Sequence, residues 1–424
     1  MDLISLAVPF FLIAIVVETL YDKARGSGFV GFNDAIGSLA AGAFNSTTGI
    51  FTKVVSIVIY GFVLEHFAVW RMPDSWFAFT PSGILAWLSV LLFWDFMYYW
   101  KHRLGHEMSI FWAAHSVHHQ SEEYNLTTAL RQTSSDFIIG WAVYLPMFFL
   151  GVPLHVFATV SAVDLIYQFW VHTRHIDRLG WADYVFVTPS NHRVHHAQNP
   201  SYIDKNYGGI LIIWDRLFGT FEPESEPVVF GVRKPLHSFN PVNANLHVYR
   251  SLIADWQDAK GWRDKLRVWF GRTGWRPQDA EAARPLTLSP LSAFEKYRGR
   301  GVGAQSAYTA AQFAMAIGLT LSIGMVATSH GLAIAFVIAI QLWTLLSILG
   351  ALADGARWAI AAEWSRLALT PIWASIVAVW LGLSWPTVLA YAVAYSGLSA
   401  IGFRLSQPVT GVDAEVRSTA SRNV

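Results

Sequence analysis

The chain has 424 residues, of which 54% are hydrophobic and only 14% charged, and its mean hydropathy is +0.36. A soluble protein of this length is rarely so apolar, so we predict an integral, multi-pass membrane protein. The formal net charge of +1 does not indicate a nucleic-acid partner, and the absence of cysteine excludes disulfides, iron–sulfur clusters and cysteine nucleophiles. Any metal ion must therefore be bound through nitrogen or oxygen.

Apolar runs that approach the length needed to cross a bilayer, about 20 residues, recur along the chain. The first run lacks the basic leader and the cleavage site of a signal peptide, so it is interpreted as a retained helix. The fourth and fifth runs are short and separated by Gly151 and Pro153, so an alternative for this pair is a hairpin that does not fully cross. We predict about nine spans, near residues 3–21, 50–70, 83–100, 137–152, 154–171, 306–328, 331–350, 366–383 and 385–403.

The lysine and arginine residues beside these spans predict the orientation of the chain. If the N-terminus is outside, nearly all of them lie on the cytoplasmic side, and only Arg71 clearly opposes this arrangement. We therefore predict an active site on the cytoplasmic face. The residues that support this orientation are Lys23, Arg25, Lys101, Arg103, Arg174, Arg178, Arg357, Arg366 and Arg404.

Changes in composition divide the chain into regions. Residues 206–222 are apolar but too short to span a membrane, so we expect them to lie beneath the candidate site. Residues 255–300 are rich in Arg, Trp and Gly, which is typical of a segment on a membrane surface. We predict N-terminal transmembrane helices in 1–82, a histidine-box catalytic domain in 83–225, a cytoplasmic connector in 226–304, C-terminal transmembrane helices in 305–404 and a disordered tail in 405–424.

Eleven of the fifteen histidines lie within 95 residues; eight of them form three tight groups, and His172, one of three histidines between the second and third groups, is the ninth candidate ligand. Neutral imidazole is the commonest metal ligand in proteins, and histidines three or four residues apart on a helix point to the same side. One metal ion takes at most about four to six ligands, so nine histidines suggest two ions. The predicted ligands are His102, His106, His115, His118, His119, His172, His192, His195 and His196.

Several neighbouring side chains have more than one interpretation. Asp95 is expected either to contact a ligating histidine or to bond to a neighbouring helix, and His175 is either a ligand or a structural residue. Glu107 follows His106 without forming an H-E-x-x-H motif, so it is either a group that acts at the metal centre or a surface acid. Isolated histidines are assigned structural roles by default: His66, His155, His237, His247 and His330.

The three histidine boxes resemble the pattern H-x3-4-H, H-x-x-H-H and H-x-x-H-H of the fatty acid hydroxylase/sterol desaturase superfamily of membrane di-iron enzymes. Within that superfamily the sequence most resembles the alkylglycerol monooxygenase family, the ether-lipid-cleaving branch. This second resemblance rests on Glu107, on the Tyr-Asn-Leu sequence at 124–126 and on the Asp-Lys-Asn-Tyr sequence at 204–207. Asn191 departs from the pattern, because a further histidine is expected before the third box.

The resemblance implies an all-α membrane bundle with a cytoplasmic, histidine-rich di-iron cap. It further implies iron held by the eight histidines of the boxes, a catalytic role for Glu107, and tetrahydrobiopterin or another external reductant. His172 lies outside the boxes and is predicted as a ligand from its position at the end of the fifth predicted span, the alternative being a structural histidine at the membrane interface. The implied reaction is hydroxylation of a membrane lipid with O2, at the carbon beside the ether oxygen of an alkylglycerol-type lipid. A hydroxylase or desaturase of sterols, carotenoids or fatty-acyl chains is the alternative within the superfamily.

Absent motifs narrow the choice further. The chain contains no P-loop and no dinucleotide-binding G-x-G-x-x-G sequence, so the electrons for an oxygenase must come from a separate donor. A metal transporter or sensor is the alternative from another class of protein. It would need polar ligands distributed through the spans, whereas the histidines here cluster at one predicted depth.

Overall fold

The computed structural model describes residues 3–299 and 303–407, and within these ranges it contains helices and loops but no β-strand, only three isolated bridges. The prediction of an all-α protein is thereby confirmed. The chain separates into two compact units, one drawn from Met1–His237 and Pro241–Tyr297 and the other from Ser238–Asn240 and Arg298–Val424.

The first unit carries all nine predicted ligands. It also contains 3-10 turns at Asp74–Phe77, Asp136–Ile138, Gly140–Tyr144, Gly180–Tyr184 and Leu291–Ala293. Its α-helices in chain order are α1 (Leu3–Arg25), α2 (Phe32–His66), α3 (Pro81–Glu107), α4 (Ser109–His119), α5 (Leu126–Ala129), α6 (Leu145–Phe149), α7 (Leu154–Trp170), α8 (Pro189–His195), α9 (Ile213–Phe218), α10 (Pro241–Asp258), α11 (Trp262–Phe270) and α12 (Gln278–Ala283).

α3 carries the first histidine box, and an apolar core fixes its position. Trp94 of α3 stacks on Tyr144 with the ring centroids 4.3 Å apart, and both side chains are buried. The extended residue Met108 separates α3 from α4, so the chain turns directly from one helix into the next. Gly105 permits close packing at this turn, because a Cβ atom there would lie 3.2 Å from Cγ of His115.

The second unit contains α13 (Ala304–His330), α14 (Leu332–Ala353), α15 (Arg357–Trp380) and α16 (Trp385–Ser406). The Nη2 atom of Arg366 donates to Oε1 of Glu363 at 2.6 Å and to Oε1 of Gln312 at 2.8 Å. Arg366 is therefore a buried residue within α15. These partners accommodate its charge among the helices of the second unit.

Five described helices are long and apolar enough to cross a membrane: α2, α3, α13, α14 and α16. This number supports an integral membrane protein but does not confirm nine spans. The predicted spans near 3–21 and 366–383 are helical, as α1 and α15, yet they are not among these five.

The predicted spans at 137–152 and 154–171 are not two long helices. The first is divided into 3-10 turns and the five-residue α6, and the second is the 17-residue α7. The break follows from the sequence, because Gly151 adopts a left-handed φ of 81° that most residues avoid. The predicted tail, 405–424, lies outside the described residues from position 408 onward, and its first two residues belong to α16.

Candidate metal centre

The nine predicted ligands assemble into two groups, and the ligand nitrogens of each group lie within 4.8 Å of one another. All nine side chains are buried except that of His115, which is partly exposed. The five-histidine group consists of His102, His106, His115, His119 and His195. The four-histidine group consists of His118, His172, His192 and His196.

Helix geometry explains how each box contributes to the groups. His102 and His106 are one turn apart on α3 and enter the same group. On α4, His115 and His119 face the five-histidine group, whereas His118 points about 100° away from His119 and enters the four-histidine group. The third box divides in the same way at the end of α8. α4 and the C-terminal end of α8 therefore lie between the two groups.

Backbone carbonyls determine which nitrogen of several rings faces inward. The Nδ1 atom of His102 lies 2.7 Å from the carbonyl oxygen of Tyr207, and that of His195 lies 3.0 Å from the carbonyl oxygen of Lys205. A carbonyl oxygen can only accept, so each Nδ1 carries the proton. In the neutral ring the Nε2 lone pair is then free and directed at the centre of the group, which is the arrangement that metal-binding histidines use.

The four-histidine group has the same arrangement. The Nδ1 atom of His118 donates to the carbonyl oxygen of Arg131 at 2.9 Å, and that of His172 donates to the carbonyl oxygen of Gln168 at 2.7 Å. The two Nε2 atoms of His118 and His172 are 3.1 Å apart. Because both carry lone pairs when the rings are neutral, they cannot bond to each other, and a cation between them would convert repulsion into attraction.

The spacing of the nitrogens also fits a bound ion. Contacts between Nε2 atoms are 2.9–3.2 Å in both groups. With metal–nitrogen bonds of about 2.1 Å, neighbouring ligands at right angles would be about 3.0 Å apart. The donor set is all imidazole, which suits iron, zinc and copper. The residues present therefore fit two transition-metal ions.

Seven of the nine histidines lie outside α3, and burial keeps their rings in the neutral form that binds metal. Loss of solvation lowers the pKa of His118 to about 4 and that of His195 to about 3. Burial, followed by the charges of neighbouring imidazoles, also lowers the pKa values of other members of both groups. These are His115, His119, His172, His192 and His196.

The Asp-Lys-Asn-Tyr segment supplies two of the carbonyls that orient the rings. Asp204 and Asn206 adopt left-handed φ angles of 61° and 56°, a conformation that Asp and Asn tolerate better than most residues. This backbone presents the carbonyls of Lys205 and Tyr207 to histidines of the five-histidine group. Asp215 holds the segment in place by accepting from the backbone N–H of Tyr207 at 2.7 Å.

Asp95 anchors the segment that follows. Its carboxylate accepts from the backbone N–H of Ile210 at 2.7 Å and of Leu211 at 3.1 Å, and from Nε1 of Trp214 at 2.8 Å. Of the two interpretations of Asp95, a bond to a neighbouring element is therefore correct. Gly209 permits the close approach, because a Cβ atom there would lie 2.9 Å from Oδ1 of Asp95.

Glu107 lies at the edge of the five-histidine group and is not part of it. Its Oε1 atom accepts from Nε of Arg103 at 2.9 Å and lies 3.5 Å from the hydroxyl of Tyr207. The Tyr207 carbonyl in turn accepts from His102. Glu107 thus contacts the residue that orients a histidine of this group.

The remaining sequence candidates lie outside both groups. Nε2 of His175 is 3.4 Å from Oδ1 of Asp22, and the ring packs on Tyr21 and Phe29. Asn191, where the family pattern led us to expect histidine, donates to the backbone carbonyls of Asp183 and Phe186 at 3.1 Å. It therefore holds the loop before α8.

A cavity of about 440 Å³ opens onto the five-histidine group. His106, His119 and His195 line it, whereas none of the described residues of the four-histidine group does. Residues of α4 and α10 line the cavity, and loops between residues 197 and 288 complete the lining. The cavity size is typical of a small-molecule site.

Sequence reasoning missed the residues that orient the rings and those that line the cavity. Lys205, Tyr207 and Arg131 act through backbone carbonyls, which every residue possesses, so even the Asp-Lys-Asn-Tyr sequence at 204–207 did not indicate this role for Lys205 and Tyr207. His247 has a default structural role in the sequence, yet its Nε2 atom is buried without a hydrogen-bond partner at the cavity wall. In the sequence, only its spacing of eight residues from Asp255 suggests that the two side chains lie on one face of α10, and such a spacing is common by chance.

Comparisons with known proteins identify the region that contains the histidines. Residues 87–220 match the model of the fatty acid hydroxylase family. Alkylglycerol monooxygenase of Homo sapiens is 38% identical over 281 residues, which cover 65% of this chain and 60% of that protein. Alkylglycerol monooxygenase of Xenopus tropicalis is 37% identical over 299 residues, which cover 70% and 64%.

A bacterial relative is similar over a shorter region. Ornithine lipid hydroxylase OlsE of Rhizobium tropici is 32% identical over 178 residues, which cover 42% of this chain and 52% of that protein. The chain spans about three fifths of the length of the vertebrate alkylglycerol monooxygenases, and no solved structure matches it. Both histidine groups, Glu107 and Asp215 lie within the matched residues 87–220, so the region that contains the candidate metal centre is similar to the fatty acid hydroxylase family.

Proposed function

We propose that this protein is a membrane di-iron monooxygenase that hydroxylates a lipid C–H bond with O2. The target that we propose is the carbon beside the ether oxygen of an alkylglycerol-type lipid. The similarity to alkylglycerol monooxygenases supports this choice of substrate. The similarity to ornithine lipid hydroxylase OlsE supports the broader reaction, hydroxylation of a lipid.

One observation carries the proposal: nine buried imidazoles form two adjacent groups, with their Nε2 atoms converging and several Nδ1 atoms fixed by carbonyls. We propose that all nine histidines hold two iron ions. Two ions at neighbouring sites would supply the activation of O2 and the removal of the hydrogen atom. This arrangement favours an enzyme over a metal transporter. In the described residues the two histidine groups lie next to each other, whereas a transporter would need ligands distributed along a path through the membrane.

The protein's own residues would bind the lipid, orient it and exclude water. The cavity beside His106 and His119 has an apolar lining that includes Trp112, Leu252 and Leu286. A hydrocarbon chain would be stabilised there by removal of apolar surface from water. The walls would hold the target carbon beside the five-histidine group. Holding reacting groups close together and correctly oriented raises the rate of reaction.

The proposed reaction balances with two external electrons. The ether R–CH2–O–R′, O2, two electrons and two protons give R–CH(OH)–O–R′ and water. The hemiacetal product then separates into the aldehyde RCHO and the alcohol HO–R′. The sequence contains no nicotinamide- or flavin-binding motif, so we propose tetrahydrobiopterin or another external reductant as the electron donor.

The test is oxygen consumption by the purified, iron-loaded protein in nanodiscs. The lipid panel would contain a 1-O-alkylglycerol, an ornithine lipid, a sterol and a free fatty acid, each with and without reduced pterin. We expect pterin-dependent formation of a long-chain aldehyde from the alkylglycerol only. The control is the His115→Ala variant, which should insert in the membrane but lose activity.

Other outcomes separate the alternatives. Oxidation of the sterol or the fatty acid but not of the ether lipid would favour the alternative within the superfamily, a hydroxylase or desaturase of sterols, carotenoids or fatty-acyl chains. Relatives named lathosterol oxidase and fatty acid hydroxylase make that panel worth including. A protein with two bound metal ions that oxidises none of these lipids would overturn the proposed function.

A further inference from the structure

Three residues that line the cavity each have a buried polar atom without a hydrogen-bond partner: Oγ of Ser116, Oγ1 of Thr273 and Nε2 of His247. They come from three separate elements, namely α4, the loop after α11 and α10. Buried polar groups in folded proteins nearly always have a partner. Three unpartnered groups around one cavity therefore indicate that a polar ligand completes them.

Other polar groups of the wall are already engaged within the protein. Nε2 of Gln120 donates to the carbonyl of Ala244 at 3.1 Å, and Nε2 of Gln198 donates to the carbonyl of Phe230 at 2.9 Å. The unpartnered atoms thus differ from these polar groups of the lining, whose hydrogen bonds are satisfied within the protein.

The charges of the wall around Asp255 are also paired, whereas Arg233 and the exposed Lys234 donate to the carbonyl of Ser289 and the hydroxyl of Ser251 rather than to a carboxylate. Asp255 accepts from Nη2 of Arg276 at 3.0 Å and from Nη2 of Arg284 at 2.8 Å. Arg284 further contacts Asp258 at 2.8 Å. Because these side chains compensate one another, the part of the wall around Asp255 favours a neutral ligand group over an ionised one.

Ser116 connects this polar region with the metal centre. It is 1% exposed, and it lies three residues before His119 on the same face of α4. The preceding turn of this face presents Trp112 to the cavity. A ligand hydroxyl bound at Ser116 would therefore be held a fixed distance from the five-histidine group.

We propose that Ser116, Thr273 and His247 bind the hydroxyl groups of a neutral lipid headgroup and so determine which carbon lies beside the five-histidine group. Serine and threonine hydroxyls both donate and accept, and a neutral imidazole nitrogen does one or the other, so together they match a diol. These are positioning residues, because they act on the headgroup and not on the reacting carbon. The inference rests on the proposed lipid substrate and adds the residues that recognise its polar end.

The test compares Ser116→Ala, Thr273→Val and the wild-type protein. The first readout is equilibrium binding of a tritiated 1-O-hexadecylglycerol to the full-length protein, with and without metal. Competitors would be the same lipid with both hydroxyls O-methylated and the same lipid with a phosphate headgroup. The matched control is Ser134→Ala, because Oγ of Ser134 is also buried and unpartnered but does not line the cavity.

We expect each cavity variant to bind the diol about three- to tenfold more weakly, the loss expected for one hydrogen bond to a ligand. Binding of the methylated lipid should not change, and Ser134→Ala should bind like wild type. In turnover, KM should rise while kcat changes little.

Equal loss of affinity for the diol and the methylated lipid would overturn the inference, because it would indicate a change in packing only. Preference of the wild-type protein for the phosphate lipid would overturn the assignment of a neutral headgroup. If the wild-type protein binds the diol selectively but oxidises no lipid, the proposed function fails while the headgroup site stands.

Discussion

At the scale of single residues, Glu107 differs from the histidines because it reaches the centre through an intermediary. Its carboxylate contacts Arg103 and the hydroxyl of Tyr207, and the carbonyl of Tyr207 orients His102. Its side chain is 32% exposed, so water competes for these contacts. Any effect of Glu107 on the reaction should therefore appear as a change in positioning or proton supply, and not as loss of a metal ligand.

We predict that Glu107→Gln lowers turnover at least about tenfold, as losses of groups around a metal centre commonly do, with metal content close to wild type. The reason is that glutamine retains the shape but loses the negative charge facing Arg103. Steady-state kinetics and metal analysis on the same sample would test this. Glu295→Gln, at an exposed position, serves as the control, and unchanged turnover in Glu107→Gln would identify a plain surface acid.

The lowered pKa values of the buried histidines predict how metal content depends on pH. Protons compete with the metal for Nε2, and this competition begins near the pKa of the folded site. An ordinary histidine would lose its metal as the pH falls below about 6.5. Because burial lowers the pKa of His118 to about 4, we expect metal to be retained at pH 5.5 and to be lost only as the pH approaches 4.

Metal per chain, measured after dialysis at successive pH values, checks this prediction, and circular dichroism on each sample separates metal loss from unfolding. Loss of half the metal between pH 7 and pH 6 would contradict it. Linkage also requires that the metal-free protein become less stable as the pH falls from about 6.5 towards 4. The unfolded chain takes up protons below about 6.5, whereas the buried rings of the folded chain do not.

At the scale of structural elements, the segment from Asp204 to Trp214 connects a spanning helix with the histidine rings. Asp95 on α3 holds its second half through two backbone N–H groups and an indole. Asp215 holds its first half, where the Lys205 and Tyr207 carbonyls meet His195 and His102. Through this segment, the position of Asp95 on α3 affects where the carbonyls that orient His195 and His102 lie.

We predict that Asp95→Asn destabilises the protein by about 1–3 kcal/mol, the cost of leaving a buried donor without its acceptor. Asparagine presents one oxygen and one NH2 group, so at least one of the three donors would face another donor. Thermal unfolding in detergent gives the measurement. Asp74→Asn is the control, since the Asp74 side chain is 81% exposed and should shift stability by less than about 0.5 kcal/mol. Equal stability of the two variants would refute the anchoring role of Asp95.

At the scale of the whole molecule, features that depend on residues close together in the sequence were predicted better than contacts between distant parts of the chain. The spacing of His115, His118 and His119 identifies a shared helix face from the sequence alone, because it depends on helix geometry only. The division of that box between two groups depends on where the third box docks, which is a contact between residues some 75 positions apart. Hydropathy likewise predicted apolar runs, but it could not show that 137–152 would divide into short turns.

The orientation of the chain in the membrane is the last prediction, and it follows from the distribution of lysine and arginine. Lys23 and Arg25 lie in the last turn of α1, whereas Arg71 is the single lysine or arginine between α2 and α3, so α2 should cross with its N-terminal end in the cytoplasm. The chain contains no cysteine, so a single introduced thiol can report its own location. We expect a membrane-impermeant maleimide, applied to intact cells, to label Ser75→Cys but not Ser27→Cys. After permeabilisation both should react. Labelling of both variants in intact cells would contradict the orientation and, with it, a cytoplasmic metal centre that receives electrons from a cytosolic donor.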